Sequence, residues 1–297
     1  MGFFNFWNVV ALMAMAILVN HRNARDESDF MSAELYYARG NMHRAKGDYD
    51  VALRDYEKAI ELDSKYRDDH SVLMAYVTKA VQDKDYTTAR LYYERVLARD
   101  SDNLAMLEYI LSLDVWLVDK PTARERALRI LRLDPNHERA NYIMGSLNVE
   151  EQNFDSAIEH LKRAIATHPA TYSLNDLAYA YLRKGEMAEA MKHAQEGLKI
   201  DENHYVLLDT YGEILVAEKR FDEAEKAFER SIQLMTKTDF RVHVHLAGLY
   251  VTKGEMENAR KLFSTIIPNA ASLSGKEVSQ FKELHLKLLG EEWSAPE

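Results

Sequence analysis

Small and apolar residues recur along most of this chain at intervals of about 34 residues. In one such stretch Phe221, Ala224, Phe228 and Ile232 follow the spacing i, i+3, i+7 and i+11, which places the four side chains on one face of a helix. A turn sequence precedes each stretch, and a proline or polar residue follows it. The pattern predicts a repeated unit of two helices joined by a short turn.

The most regular position of this unit is an alanine near the start of the second helix. Successive alanines stand 33 to 37 residues apart, at Ala52, Ala89, Ala123, Ala157, Ala190, Ala224 and Ala259. Twelve places before each alanine stands a glycine, an alanine or a larger apolar residue, and we expect that residue to contact the alanine. One helix pair cannot bury its own apolar face, whereas stacked neighbours can. We therefore predict seven units, at residues 33–66, 70–103, 104–137, 138–170, 171–204, 205–238 and 240–273.

The third predicted unit departs most from the shared pattern. It carries Asp119, Lys120 and Pro121 where the other units have a turn that ends in an aromatic residue or methionine, and Leu111 where glycine or alanine is usual. Pro121 can still occupy the first turn of a helix. We expect this helix pair to pack more loosely or at a shifted angle.

The combination of period, turn and recurring alanine resembles the tetratricopeptide repeat (TPR) family over residues 33–273. The resemblance implies an all-α fold, a right-handed α-solenoid of about seven helix-turn-helix units. In the segment 274–297 that follows, Val278, Phe281, Leu284 and Leu288 have helical spacing. We expect residues 276–289 to form a helix that caps the last repeat, followed by a short tail.

An uncharged, apolar stretch at residues 3–19 precedes the repeats, and Arg22 and Arg25 follow it. The favoured interpretation is an uncleaved single-pass membrane anchor, with residues 1–21 as the hydrophobic helix and residues 22–32 as a linker. A cleaved signal peptide and a buried helix of a soluble domain are the alternatives. The basic residues after the stretch predict cytoplasmic repeats, and an exported, periplasmic location is the alternative. This plan is similar to that of bacterial membrane-anchored TPR proteins.

The TPR resemblance also implies that the first helix of each unit lines a concave groove. At the groove positions of the fourth, fifth and sixth units stand Tyr142, Tyr172, Asn175, Tyr179, Arg183, Asp209 and Glu213. Asn175 is suited to bond an extended peptide backbone, and the acidic pair favours a lysine or arginine on the partner. The alternative is that these are ordinary polar residues on solvated helix faces.

A subset of TPR proteins grips the C-terminal carboxylate of chaperones with lysine and arginine in successive units. The matching positions of this chain hold Tyr37, Asn41, Thr78, Glu108 and Tyr109. Only Asn41 fits that pattern, so the sequence gives little support for a chaperone tail as partner.

The composition of the chain excludes several classes of partner and of active site. The chain has 38 Lys and Arg against 48 Asp and Glu, a formal net charge of −10, and no basic block, so nucleic acid is not an expected partner. The absence of cysteine excludes a disulfide scaffold, a cysteine-ligated metal and a cysteine nucleophile. No phosphate-binding loop, dinucleotide fingerprint or hydrolase motif occurs. We predict neither enzymatic activity nor a cofactor.

Two groups of residues raise the question of a metal site. His243 and His245 stand two apart on a predicted helix and should point to different sides. Asp68, Asp69 and His70 lie in the longer join after the first unit, where a solvated loop is the simpler explanation. The sequence therefore predicts no metal site.

The function that the sequence favours is a membrane-tethered scaffold or adaptor that binds a protein or peptide partner through its concave groove. One alternative is a structural TPR protein that self-assembles as a homo-oligomer. Another is a regulatory subunit of an envelope assembly or secretion system.

Overall fold

The computed structural model describes residues 31–235, 240–273 and 276–293 of the chain. Over these ranges the protein contains fifteen α-helices, two short 3-10 helices and no β-strand. The helices are α1 (Ala33–Ala45), α2 (Tyr49–Leu62), α3 (His70–Gln82), α4 (Tyr86–Leu97), α5 (Leu104–Trp116), α6 (Lys120–Leu133), α7 (Glu138–Glu150), α8 (Phe154–Thr167), α9 (Thr171–Lys184), α10 (Met187–Ile200), α11 (Tyr205–Ala217), α12 (Phe221–Leu234), α13 (Phe240–Lys253), α14 (Met256–Ile266) and α15 (Lys276–Leu289). The 3-10 helices are Ser64–Asp68 and Ile267–Ser272.

The predicted all-α fold is confirmed, and each predicted unit contains one helix pair, from α1 and α2 to α13 and α14. Helix α15 follows them and packs against the last pair. There the ring of Phe281 is fully buried and stacks on Phe263, with 4.8 Å between the ring centroids. The hydrophobic helix predicted at residues 3–19 and the linker at 22–32, apart from its last two residues, lie outside the described residues.

The turn inside each unit has the same backbone geometry. One residue, five places before the recurring alanine, adopts a positive φ of 58° to 83°. These residues are Gly47, Lys84, Val118, Gln152, Gly185, Lys219 and Gly254. Left-handed φ is unfavourable for any residue with a Cβ and most of all for a β-branched one, so the third unit is strained at Val118. Leu111 of that unit is nonetheless fully buried.

The two helices of a unit approach closely at the position twelve residues before the alanine. A Cβ added to Gly40, Gly145 or Gly212 would lie 2.4 to 2.7 Å from the side chain sixteen residues later. In the sixth unit, for example, the atom that it would meet belongs to the ring of Phe228. The expected approach to the alanine is confirmed at Gly40 and Gly145, where the added Cβ would also lie 3.2 and 3.4 Å from the backbone oxygen of Ala52 and Ala157. The nearest neighbour is the large side chain four places after the alanine.

The chain divides into two compact units, residues 1–126 and 127–297. In the first, the carboxylate of Asp114 is fully buried and accepts a hydrogen bond of 2.5 Å from Nε of Arg126 and one of 3.2 Å from Nη1 of Arg90. Burial raises the pKa of Asp114, and the two guanidinium groups oppose that rise. The ion cluster connects α5 to α4 through Arg90 and to α6 through Arg126.

In the second unit, the first helices of successive repeats contact one another. Helix α7 contacts α9, α9 contacts α11, α11 contacts α13, and α13 contacts α15. The second helices α8, α10, α12 and α14 each pack against the first helix of their own repeat, where leucine, alanine and phenylalanine form the cores. Five helices therefore share one surface within residues 127–297.

Across residues 31–235, 240–273 and 276–293, no helix combines the length and the apolar character that crossing a membrane requires.

Candidate functional site

The surface shared by α7, α9, α11, α13 and α15 carries a groove with a cavity of about 540 Å³. Each of the five helices contributes to it, because groove positions one repeat apart fall next to each other when first helices stack. The lining residues are Val149, Glu150, Gln152, Phe154, Asn175, Asp176, Tyr179, Arg183, Val206, Asp209, Thr210, Glu213, Arg241, His245, Glu277 and Ser279. An extended segment of another chain is the kind of ligand that such a surface accommodates.

The groove is predominantly acidic. Its lining includes five carboxylates, Glu150, Asp176, Asp209, Glu213 and Glu277, against two arginines. Side chains of one sign on low-dielectric walls concentrate the electrostatic field and attract ligands of the opposite charge. The groove is therefore suited to a positively charged segment.

Asp176 is a groove carboxylate whose pKa is raised well above its ordinary value. It lies on α9, largely shielded from water, and burial raises its pKa to about 6, with a further contribution from the charge of Glu150. The hydrogen bond of 3.2 Å from Nδ2 of Asn175 acts in the opposite direction. The charge of the groove therefore changes near pH 6.

Five of the seven residues predicted from the sequence line the groove: Asn175, Tyr179, Arg183, Asp209 and Glu213. The remaining two, Tyr142 and Tyr172, are not among its lining residues. They pack edge to face beside it, with 4.5 Å between ring centroids. Tyr142 is held against the apolar core, and burial raises the pKa of its hydroxyl to about 12. Tyr172 is exposed. Whether any of the seven contacts a partner stays a prediction.

The amide of Asn175 already has partners inside the chain. Its Nδ2 donates to Asp176, and its Oδ1 accepts a hydrogen bond of 2.8 Å from the hydroxyl of Thr210. The residue is buried, at 8% exposure. These bonds use one donor and one acceptor position of the amide, and they link α9 to α11 through Asn175.

A histidine joins the two acidic residues predicted for this groove. Nδ1 of His245, on α13, lies 2.7 Å from Oδ1 of Asp209, on α11, and Nε2 lies 3.9 Å from Oε1 of Glu213. The sequence did not predict this contact between His245 and the two acidic residues. His243 makes a separate contact with the ring of Phe240. The signal that sequence reasoning missed is the separation of 36 residues between Asp209 and His245, which is close to one repeat.

The other histidine group has a structural explanation. Asp69 caps the N-terminus of α3 by accepting from the backbone of Ser71 at 2.9 Å, and it also accepts from the hydroxyl of Tyr37. Asp68 forms an ion pair of 2.6 Å with Arg95. The join between the first two repeats is a 3-10 helix and a helix cap, and most of its side chains are exposed, in keeping with the solvated segment expected from the sequence.

Comparison with known proteins agrees with the repeat geometry. Three family models described as tetratricopeptide repeat match residues 33–66, residues 119–170 and 144–204, and residues 215–278, which together are more than half of the chain. The chain belongs to the tetratricopeptide repeat family. The matched ranges contain helices α1, α2, α6 to α10 and α12 to α14 in full.

Among curated proteins, this TPR chain is similar to Hsp70-Hsp90 organizing protein 2 of Arabidopsis thaliana, with 21% identity over 226 residues. That match covers 72% of this chain and 38% of the plant protein. A shorter match, 31% identical over 97 residues, covers 31% of this chain and 12% of the human protein O-mannosyl-transferase TMTC2. The chain therefore spans less than two fifths of the length of either relative.

Among solved structures, a tetratricopeptide repeat protein from Parabacteroides merdae superposes with a TM-score of 0.55 at 18% identity, over 87% of this chain and 99% of that one. PilW, a type IV pilus biogenesis factor, superposes with a TM-score of 0.56 at 13% identity, over 70% of this chain and 96% of its own. At these identities the likeness shows the fold alone.

Proposed function

We propose that this chain is a membrane-tethered TPR scaffold whose acidic groove in residues 127–297 binds an extended, lysine- or arginine-containing segment of a protein partner. The observation that carries the proposal is the groove itself, in which five carboxylates from the first helices face two arginines. The membership of the TPR family supports a protein partner, because TPR repeats present extended surfaces that bind other chains.

Apolar contacts would add to the charge attraction. Tyr179 lies in the middle of the groove lining and packs edge to face on Phe154, with 6.5 Å between ring centroids. A half-buried tyrosine offers a large, rigid contact area and a polar tip, and such residues often dominate binding energy. Charge on the groove rim would mainly raise the association rate and select the partner.

A peptide-binding experiment tests the groove. The probes are a fluorescent peptide of alternating lysine and alanine and the same peptide with glutamate in place of lysine. The lysine peptide should bind, with an affinity that falls as salt increases, and the glutamate peptide should not. The double variant Glu150→Gln, Tyr179→Ala should bind the lysine peptide at least about 10-fold more weakly.

The matched control is Glu159→Gln, which also removes one exposed carboxylate from residues 127–297 and is compared with Glu150→Gln alone. Glu159 lies on the second helix α8, away from the groove lining. If the control loses as much affinity as the groove variant, the binding is diffuse attraction to an acidic protein and the groove assignment is wrong.

The tether rests on the sequence of residues 3–19 and the arginines that follow. Because the chain has no cysteine, the single substitution Ser294→Cys can be probed in intact cells with a membrane-impermeant maleimide. Membrane fractionation together with protection until lysis is expected for an anchored cytoplasmic scaffold. Labelling of intact cells would place the repeats on the other side and point to partners in envelope assembly or secretion.

Self-assembly is the second candidate function, favoured by exposed apolar residues in residues 1–126. Trp116 and Val118, at the end of α5, are 62% and 72% exposed, and Trp116 packs on the ring of Tyr86. A concentration-dependent sedimentation coefficient that the variant Trp116→Ser abolishes would support this function. A monomer at all concentrations would exclude it.

A further inference from the structure

Three side chains with metal-binding atoms converge where the sixth and seventh repeats meet. Asp209 and Glu213 stand one turn apart on α11, so both carboxylates project from the same helix face. His245 projects towards them from α13. One oxygen of each carboxylate and one ring nitrogen lie within 4.8 Å of one another. The cluster thus combines ligands from two helices that are separate in sequence.

The donor atoms are close enough together for one ion. An imidazole binds an ion through one ring nitrogen, and ligand bonds of about 2.1 Å to a tetrahedral ion place the donor atoms about 3.4 Å apart. Nε2 of His245 lies 3.9 Å from Oε1 of Glu213, slightly more than that separation, whereas the contact of 2.7 Å between Nδ1 and Oδ1 of Asp209 is a hydrogen bond between the two side chains. We expect the three side chains to rotate when the ion binds.

The surroundings hold the ligands in place. The imidazole of His245 lies against the ring of Phe228, 6.0 Å between centroids, and the side chains of His245, Asp209 and Glu213 are only 5%, 12% and 16% exposed. Phe228 is itself fixed in the close contact with Gly212. Ligands that are already ordered lose little conformational entropy when an ion binds.

Charge and access favour a cation. Two carboxylates lie within 4 Å of one imidazole, Asp209 at 2.7 Å and Glu213 at 3.9 Å, and a divalent ion would offset their negative charge. Both Glu213 and His245 line the large groove and also a second cavity of about 270 Å³ between α11, α13 and α15. An ion can therefore enter, and a fourth ligand can come from water or from a partner.

We propose that Asp209, Glu213 and His245 bind a divalent transition-metal ion, with Zn²⁺ as the best-fitting representative. The donor set decides the class, because Ca²⁺ and Mg²⁺ prefer oxygen ligands alone, whereas an imidazole nitrogen with two carboxylates suits Zn²⁺ and its neighbours. The ion would link α11 to α13. This inference does not depend on the proposed partner, since it concerns the metal alone.

The test uses the full chain, purified in mild detergent without a polyhistidine tag and stripped with a chelator. Calorimetric titration with Zn²⁺ is expected to show one tight site per chain. His245→Ala and Glu213→Gln should each weaken that site at least 10-fold, whereas His243→Ala, two residues away on the same helix, should leave it unchanged. A large excess of Mg²⁺ or Ca²⁺ should not displace the Zn²⁺.

Two further readouts keep the test decisive if a variant folds poorly. Circular dichroism of the metal-free variants reports whether helix content is retained, and Zn²⁺ should raise the Tm of the wild type but not that of Glu213→Gln. Co²⁺ should give the visible absorption of a tetrahedral site in the wild type alone. Absence of Zn²⁺ binding, equal binding by His245→Ala, or equal loss in His243→Ala would overturn the proposal.

Discussion

Replacing Asp176 by asparagine should stabilise the protein, and the gain should grow with pH. The folded chain retains the proton of Asp176 up to about pH 6, whereas the unfolded chain releases it near the ordinary value of 3.8. Between these values the folded state binds more protons, so the free energy of unfolding falls as pH rises through this window. Asparagine cannot ionise, and its oxygen can still accept the hydrogen bond from Asn175.

The magnitude follows from the two pKa values. At about 1.4 kcal/mol per pH unit, the difference between 3.8 and about 6 corresponds to about 3 kcal/mol at pH 8 and about half of that at pH 5. Because the carboxylate retains some contact with water, we expect a measured gain of about 1–3 kcal/mol at pH 8.

The assay is urea unfolding of wild type and Asp176→Asn at pH 5 and pH 8, followed by far-UV circular dichroism. Hydrogen exchange of the α9 amides gives a local readout in case the repeats unfold in stages. The control Glu159→Gln removes an exposed carboxylate and should change stability by less than about 0.5 kcal/mol at both pH values. The same gain at both pH values, or a loss at pH 8, would refute the argument from ionisation.

Three further predictions concern packing, strain and buried charge, and each is measured by urea unfolding. Gly212→Ala should lower the free energy of unfolding by about 1–3 kcal/mol, because the new Cβ would lie 2.4 Å from the buried ring of Phe228. The control Gly248→Ala has open space around it and should raise that free energy by about 0.5–1 kcal/mol, so equal effects of the two variants would contradict the close approach. Val118→Gly should raise the free energy of unfolding by about 1 kcal/mol, because glycine adopts the φ of 58° without strain. Val118→Ala retains a Cβ and should raise it less, so the reverse order would disprove strain at this turn. Arg126→Ala should lower the free energy of unfolding by about 3 kcal/mol, because the buried carboxylate of Asp114 loses its partner at 2.5 Å. The double variant Arg126→Ala, Asp114→Ala should recover part of that loss, and no recovery would show that the arginine acts through packing alone.

Much of the fold could be predicted from the sequence, because helices and turns are determined by the pattern of neighbouring residues. The spacing of Phe221, Ala224 and Phe228 predicts a helix face, and α12 buries that face. The turn of each unit was recognisable from composition in most repeats. The shared left-handed residue within it was not, because four of the seven positions carry lysine, valine or glutamine, for which positive φ is uncommon.

The residues that line the groove could be predicted from the sequence only in part. The TPR resemblance implied the groove positions, and Tyr179, Asp209 and Glu213 at those positions do line the groove. The same resemblance implied Tyr142 and Tyr172, but these two are not among the lining residues, because a helix face is broad and position alone does not give the side-chain direction.

The sequence by itself determined the repeat, the helix pairs and the acidic character of the chain, because periodicity and composition act over neighbouring residues. Only the tertiary structure decided which polar groups meet. Three features depend on the offset between helices about one repeat apart. They are the contact of Asp209 with His245, the hydrogen bond from Thr210 to Asn175, and the shielding from water that raises the pKa of Asp176. A shift of one residue in that offset rotates each side chain by about 100° around its helix, which no pattern within a single repeat can specify.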